Sequence, residues 1–497
     1  MYPSRALKRL LPKGTAFARP LLMKTPLFYA QRRFLALILL STLVITSCRE
    51  DDDPDKKANE EYVYVNSWIK ENMDFWYYWN DQLPASPDKN VEPPDFFESL
   101  LHNEDRFSFM AADYIALLNS LQGISHEPGY EFVLYLEAPG SSNVLLQILY
   151  VKPASPAETV GLKRGDVITH INSQQITTHN YQELLADLAE PHTVMYRALN
   201  GEDFEEAKTL SVSPVQYAEN PNYMSTVLDV NGKKVGYFIY NFFASGTQTQ
   251  PGAYDAETDA IFAEFKSQGI EELILDLRFN SGGSESSARH LASLIGSGVD
   301  NSTVFLKREY NALVEQAILN DKDLGPSFLV SHFETKENNI GNQLTSGKVY
   351  ILTGSRTASA SELVINALKP FMEVFIIGET TVGKNMGSIS IYEENDPKNT
   401  WGLQPIVVKV LNSAGQADYS NGFTPDILRP DNELILYPLG DSREPLLSAA
   451  IAEISGMNPA RLGYSANREP FAHSLDYKKR SFRLMMNNVL TEELQPR

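Results

Sequence analysis

The chain has 497 residues, 43% of them from the set Ala, Val, Ile, Leu, Met, Phe, Trp, Tyr and Cys, which is enough for about two to four folded units. Its 29 Gly and 28 Pro are close to globular usage, so a fibrous, collagenous or wholly disordered chain is excluded. A net charge of −20 leaves no broad basic face for a phosphate backbone and argues against nucleic acid as a partner, and a single Cys rules out an intrachain disulfide and a multi-Cys zinc site.

Residues 1–47 carry eight basic residues and no Asp or Glu, and they end in the apolar run Phe34 to Ile45. This is the pattern of a signal peptide, with an apolar stretch too short to span a bilayer. The run closes on Ile45-Thr46-Ser47-Cys48, which resembles a bacterial lipobox. That resemblance implies a Cys48 lipidated and left as the first mature residue, and a protein anchored as an outer-membrane lipoprotein of a Gram-negative cell, on its periplasmic side or surface. A start at Met23 would leave a signal of ordinary length. Residues 48–59 read as a solvated acidic tether.

In residues 60–118 the spacing of Trp68, Ile69, Met73, Phe75, Trp76 and Trp79 predicts a small helical domain whose aromatics pack as core rather than form a sugar-binding platform. Residues 119–214 alternate strands with short helices around Ser155-Pro156-Ala157, Gly161-Leu162-Lys163-Arg164-Gly165-Asp166 and Ile171-Asn172. This stretch resembles a PDZ domain, a β-rich α+β fold. The resemblance implies a groove walled by a helix from Tyr181 to Leu188, with a carboxylate-binding loop at Gly129, Tyr130, Glu131 and Phe132. Residues 215–455 alternate strands and helices, which predicts an α/β core. Strands are expected at Val235–Phe242, Glu272–Leu277, Val349–Thr353, Val374–Ile377, Ser388–Tyr392 and Leu403–Leu411, and a last helix at Glu444–Glu453. Residues 456–497 read as a polar tail.

Three segments of the α/β region have the composition of one active site. Asp276-Leu277-Arg278-Phe279-Asn280-Ser281-Gly282-Gly283 runs from an apolar strand into paired glycines, either a plain turn or a place where backbone N–H groups approach a ligand oxygen. Thr357-Ala358-Ser359-Ala360-Ser361-Glu362 opens a helix, where a Ser serves as an N-cap or as a nucleophile facing the positive helix end. Gly378 to Lys384 sets a Lys in a Gly-flanked turn, a surface residue or, if desolvated, a general base.

Together these segments resemble the C-terminal processing peptidases, also called tail-specific proteases, over residues 60 to 455. The family's Ser-Ala-Ser-Ala-Ser-Glu stretch appears here as Thr357 to Glu362, and its Lys at the family's spacing is Lys384. The resemblance implies a multidomain α/β protein with a crotonase/ClpP-like peptidase core and no cofactor or metal. It implies a nucleophile at Ser359, a neutral Lys384 as base, and an oxyanion hole from Ala360 with Gly282 or Gly283. Protein or peptide substrates would be cut near the C-terminal ends that the PDZ domain presents. Where many members carry a Gln that orients the Lys, this chain has Ser388. A different class of function is a surface lipoprotein that captures peptides or glycans without cutting them.

Overall fold

Each apolar run of the C-terminal half is buried on both faces, so the runs lie side by side as a largely parallel sheet. The computed structural model describes residues 54–457, 468–474, 485, 486, 490 and 494. Cys48, the apolar run before it and a start at Met23 lie outside the described residues. The strands stand in the spatial order Asn222–Val230, Lys233–Tyr240, Glu272–Asp276, Lys348–Thr353, Glu373–Gly378 and Ile427–Leu428. The first pair is antiparallel and the rest are parallel. Alternate side chains divide between two cores: Leu273, Leu275, Val349 and Ile351 enter one, Ile274, Tyr350, Leu352 and Ile377 the other, as the two-residue period of a strand requires. The helices Ala253–Gln268, Glu285–Ile295 and Ala360–Leu368 cover the first face through Phe262, Leu291 and Leu363. The helix Pro445–Ile454, capped by the Glu444 side chain, covers the second through Leu446, Leu447 and Ala450.

Two expected strands are each broken in two. Ser388–Tyr392 resolves into Met386–Ser388 and Ile391–Tyr392, and Leu403–Leu411 into Gly402–Gln404 and Ile406–Leu411. The second break falls at Pro405, which has no N–H to give to a ladder. A second sheet follows from these pieces, in the order Gly283–Ser284, Met485–Met486, Met386–Ser388, Ile406–Leu411, Val304–Tyr310 and Val330–His332.

The helical N-terminal region does not have a core of its own. Its long helix, Pro54–Trp76, buries Ile69, Met73 and Trp76, and these join Tyr77 and Phe96 in the same core as Leu275 and Leu363. Asn311 fastens the helix end, its Nδ2 donating to the carbonyls of Phe75 at 2.9 Å and Tyr77 at 2.8 Å. The aromatics are therefore packing groups, as their helical spacing predicts.

The PDZ-like region forms a sheet in the order Lys208–Val212, His192–Arg197, Val167–Ile171, Val144–Val151, Tyr130–Leu136 and Ala472–His473. It encloses its own core of Leu134, Ile148, Leu162, Ile168 and Leu184. The groove helix is shorter than expected, Tyr181–Ala186, and runs on as a 3₁₀ turn over Asp187–Ala189. The outer face of this sheet docks on the α/β sheet through Val133, Tyr135, Leu149 and Tyr150.

A buried ionic network locks that docking. Arg278, from the glycine-rich segment, donates to Asp276 at 2.7 Å and to Glu444 at 2.9 Å, and lies 3.4 Å from Asp431. Arg164, from the PDZ-like Gly-Leu-Lys-Arg-Gly loop, donates to Asp431 at 2.9 Å and to the Leu149 carbonyl at 2.8 Å. Burial pushes the Asp431 carboxyl up, but Arg164 and Arg278 outweigh it and hold the group below its ordinary value. A depressed carboxyl contributes stability above its unfolded pKa of about 3.9 and loses it as pH falls through the folded value. Asp431 should therefore contribute undiminished stability from pH 7 down to about 4 and lose it only under stronger acid. Asp431→Asn should lower the unfolding free energy at pH 7 by about 3 kcal/mol, since two buried guanidinium groups lose a shared anion; urea titrations of both proteins across pH check both expectations.

Candidate functional site

The three candidate segments converge at the carboxyl ends of the central parallel strands. Lys348–Thr353 leads into the loop before helix Ala360–Leu368, Glu272–Asp276 into the paired glycines, and Glu373–Gly378 into the turn that carries Lys384. This is where open α/β sheets place their ligand sites.

Ser359 is the N-cap of its helix and is fully buried, with φ +59° and ψ −111°. A positive φ at a residue with a side chain costs on the order of 1–3 kcal/mol and persists only where the surroundings enforce it. They do so here through Glu362. Its Oε2 accepts from the Ser359 N–H at 2.8 Å and the Lys384 N–H at 2.8 Å, and its Oε1 from the Gly383 N–H at 2.6 Å and the Thr381 hydroxyl at 2.6 Å. One carboxylate thus ties the Ser359 turn to the Lys384 turn. Burial raises the Glu362 carboxyl above its ordinary value, against the four donors that favour its ionised form. Glu362 completes its half of a reciprocal capping arrangement, whereas the buried Ser359 Oγ makes no hydrogen bond.

The two serines of the motif are thereby distinguished. Ser361 Oγ donates to the Asn280 carbonyl at 3.0 Å and is engaged in holding the glycine turn, so Ser359 is the serine with an uncommitted hydroxyl.

Gly282 and Gly283 have φ of +112° and +137°, a conformation that favours glycine. A Cβ on Gly282 would come within 2.7 Å of the Ser359 Cβ and 3.2 Å of the Ala360 nitrogen, which puts this turn directly against the serine. The Gly282 N–H already donates to Asn280 Oδ1 at 2.9 Å. Of the two glycines considered for an oxyanion hole, Gly282 thus has its N–H engaged within the turn. Ala360 opens its helix, so its N–H has no acceptor within the helix.

Lys384 is fully buried, its Nζ 5.5 Å from the centroid of the Phe107 ring. The Asp105-Arg106-Phe107-Ser108 stretch, which carries no recognisable motif, supports it. Arg106 donates to the carbonyls of Gly383 at 3.1 Å and Ser420 at 2.8 Å, and Ser108 Oγ accepts from the Ile406 N–H at 2.8 Å. Beside this turn opens a cavity of about 670 Å³ lined by Trp79, Arg106, Phe107, Asn385 and Lys409. Ser388, the residue at the family's Gln position, is buried on strand Met386–Ser388, and its hydroxyl makes no hydrogen bond.

Of the four expected groove-loop residues, Gly129 has φ +90° and its carbonyl accepts from the Lys152 N–H at 2.9 Å. Tyr130 and Phe132 are core residues. Glu131 is buried 3.1 Å from the ammonium of Lys152, which also meets Glu127 at 2.6 Å and Glu219 at 2.5 Å. The loop is thus acidic and internally paired.

Three family models match parts of this chain. The description "Peptidase family S41" matches residues 234–429, "Peptidase S41 N-terminal domain" residues 64–109, and "PDZ domain" residues 147–195. A carboxyl-terminal-processing protease of Picosynechococcus is 24% identical over 308 residues, covering 62% of this chain and 66% of that protein. The chloroplastic carboxyl-terminal-processing peptidase 1 of Arabidopsis thaliana is 23% identical over 379 residues, covering 71% and 68%. The chain thus spans about two thirds of the length of these curated relatives. A crystal structure from Bacteroides fragilis assigned to the S41 proteases superimposes with a TM-score of 0.64 at 26% identity, over 78% of this chain and 97% of that one.

Glu362→Leu should cost at least about 3 kcal/mol of unfolding free energy, because it strands three buried N–H groups and a hydroxyl. Guanidinium unfolding followed by tryptophan fluorescence measures it; a loss below about 1 kcal/mol would mean that the clip does not hold the two turns.

Proposed function

We propose that this chain is a serine endopeptidase of peptidase family S41 in which Ser359 is the nucleophile and Lys384 the base, acting on protein substrates that the PDZ domain holds near their C-terminal ends. The observation that carries this reading is the Glu362 carboxylate, which binds the main chain at both Ser359 and Lys384. In this reading the Ser359 Oγ attacks the peptide carbonyl as its proton passes to the neutral Lys384 amine. The oxyanion faces the N–H groups of Ala360 and Gly283 at the positive end of the helix. Collapse of the tetrahedral intermediate breaks the C–N bond, and the Lys384 ammonium gives its proton to the leaving amine. A water molecule, deprotonated by the same amine, then releases the acyl group from Ser359. Catalytic hydrogen bonds often close only when substrate binds, which fits a Ser359 hydroxyl without a partner. Ser388, with a buried and unengaged hydroxyl, is available to orient the amine.

The same reading puts a lipid on Cys48 and the protein at the outer membrane of a Gram-negative cell. Its support is the basic segment, the apolar run and the lone Cys in sequence. Cys48→Ser should move the protein from the membrane to the soluble fraction of lysed cells; equal partitioning of the two forms would refute the anchor.

On a fluorogenic peptide, Ser359→Ala and Lys384→Ala should each abolish turnover, and the double variant should lose no more than either, because the two groups act as a unit. Lys384→Arg should fail too, since a guanidinium stays charged. Ser388→Ala should keep measurable activity. Only the neutral amine accepts the proton, so the rate should rise with pH from neutral into the alkaline range. Turnover by folded Lys384→Ala protein would overturn the mechanism.

A further inference from the structure

The groove of the PDZ domain is occupied by the chain itself. Ala472 and His473 pair antiparallel with Leu134 and Val133, and the Phe471 N–H donates to the Leu134 carbonyl at 3.1 Å. The Phe471 ring meets Tyr181 of the groove helix edge-on, with centroids 5.4 Å apart, and Ala472 packs against the PDZ core. Ser474 closes the contact: its Oγ accepts from the Phe132 N–H at 3.0 Å and donates to Glu131 Oε2 at 2.5 Å. Upstream, Arg468 donates to the Leu136 carbonyl at 2.9 Å, with its guanidinium over the Tyr135 ring. This is strand addition, the mode by which such grooves take an extended peptide. The added strand is internal, because the chain continues past Ser474 to Arg497. Where a carboxylate would sit, a hydroxyl donates to the buried acidic Glu131.

Farther along, the same segment reaches the catalytic region. Met485 and Met486 pair in parallel with Gly283 and Ser284, and Met486 also pairs with Ser388. The backbone of these two residues therefore lies between the strand of the oxyanion glycine and the strand that follows Lys384. An extended substrate must run there to bring a carbonyl to Gly283 and Ala360.

We infer that the C-terminal segment is a tethered competitor that occupies both substrate positions, and that the groove selects extended internal segments with an aromatic residue followed three positions later by a hydroxyl. The groove contact stands on its own geometry, whereas the second contact rests on the catalytic reading given above. A tethered strand acts at an effective concentration of order millimolar, so only polypeptides that bind tightly or at several points displace it.

The groove is tested in full-length protein carrying Ser359→Ala, which removes turnover, with a fluorescein-labelled, C-terminally amidated peptide copying residues 468–474 as probe. Adding Phe471→Pro deletes the N–H bonded to Leu134 and the ring against Tyr181, and should tighten binding of the probe by about tenfold or more as the site empties. Equal affinity with and without the substitution would overturn the inference. The second contact is tested in the active chain: Met485→Pro with Met486→Pro should raise kcat/KM on a short fluorogenic peptide by about fivefold, and an unchanged value would remove the catalytic half. Were no variant to show Ser359-dependent turnover while Phe471→Pro still tightened probe binding, the catalytic reading would fail and the groove assignment stand. Intact mass adds an independent outcome, since a chain shortened beyond Ser474 in active protein but not in Ser359→Ala would make the segment a substrate and overturn its role as a standing competitor.

Discussion

One buried carboxylate, Glu362, carries the geometry on which the rest of the site depends. Its two oxygens gather donors from Ser359, Thr381, Gly383 and Lys384, residues that reach it from the strand-to-helix loop before Ala360 and from the strand-to-strand turn after Gly378. In a low-dielectric interior such bonds are strong when complete and costly when broken. The satisfied carboxylate is what makes the unfavourable backbone of Ser359, at φ +59°, a stable conformation. That conformation aims the Ser359 side chain out of the helix start and toward the glycine turn. Asn280 completes the frame from the other side, accepting from Gly282 and, through its carbonyl, from Ser361.

The glycine turn is linked in the same way to the PDZ-like domain. Arg278, in the loop that ends at Gly283, shares Asp431 with Arg164 of the PDZ domain. The glycine turn and the PDZ-like domain are therefore held by a common set of buried charges. Breaking such a set by removing one partner costs far more than its net contribution, so it fixes orientation more than it adds stability. Two short stretches of the chain's own C-terminal segment pair with these regions, Ala472–His473 with Leu134 and Val133, and Met485 with Gly283.

Much of this was legible in the sequence because it is local. The Thr-Ala-Ser-Ala-Ser-Glu motif, the paired glycines and the Gly-flanked Lys each sit where an apolar run ends, and the last helix, expected at Glu444–Glu453, runs Pro445–Ile454. What stayed hidden depends on contacts between residues far apart in the chain. Glu362 lies inside the motif, yet its role requires knowing that Gly383 and Lys384 fold back onto it. Arg106 and Phe107 look like loop residues until Gly383 and Lys384 are seen above them. The N-terminal helix reads as a separate unit because its apolar face says that it packs but not against what; Trp76 and Leu275 share one core. The segment at Ala472–His473 is two residues long, too short for any periodicity, and its pairing with Val133 and Leu134 spans most of the chain.

In the proposed mechanism the Glu362 clip presents Ser359, and not Ser361, as the reactive hydroxyl. An acylating or fluorophosphonate probe applied to the native protein, followed by peptide mapping, tests it most directly when the labelling rate is compared with that of Glu362→Gln. The account predicts a single adduct on Ser359 and a labelling rate at least about a hundredfold lower in the folded variant, a loss of roughly 2.7 kcal/mol in transition-state stabilisation. An adduct on Ser361, or equal labelling of the two proteins, would contradict it.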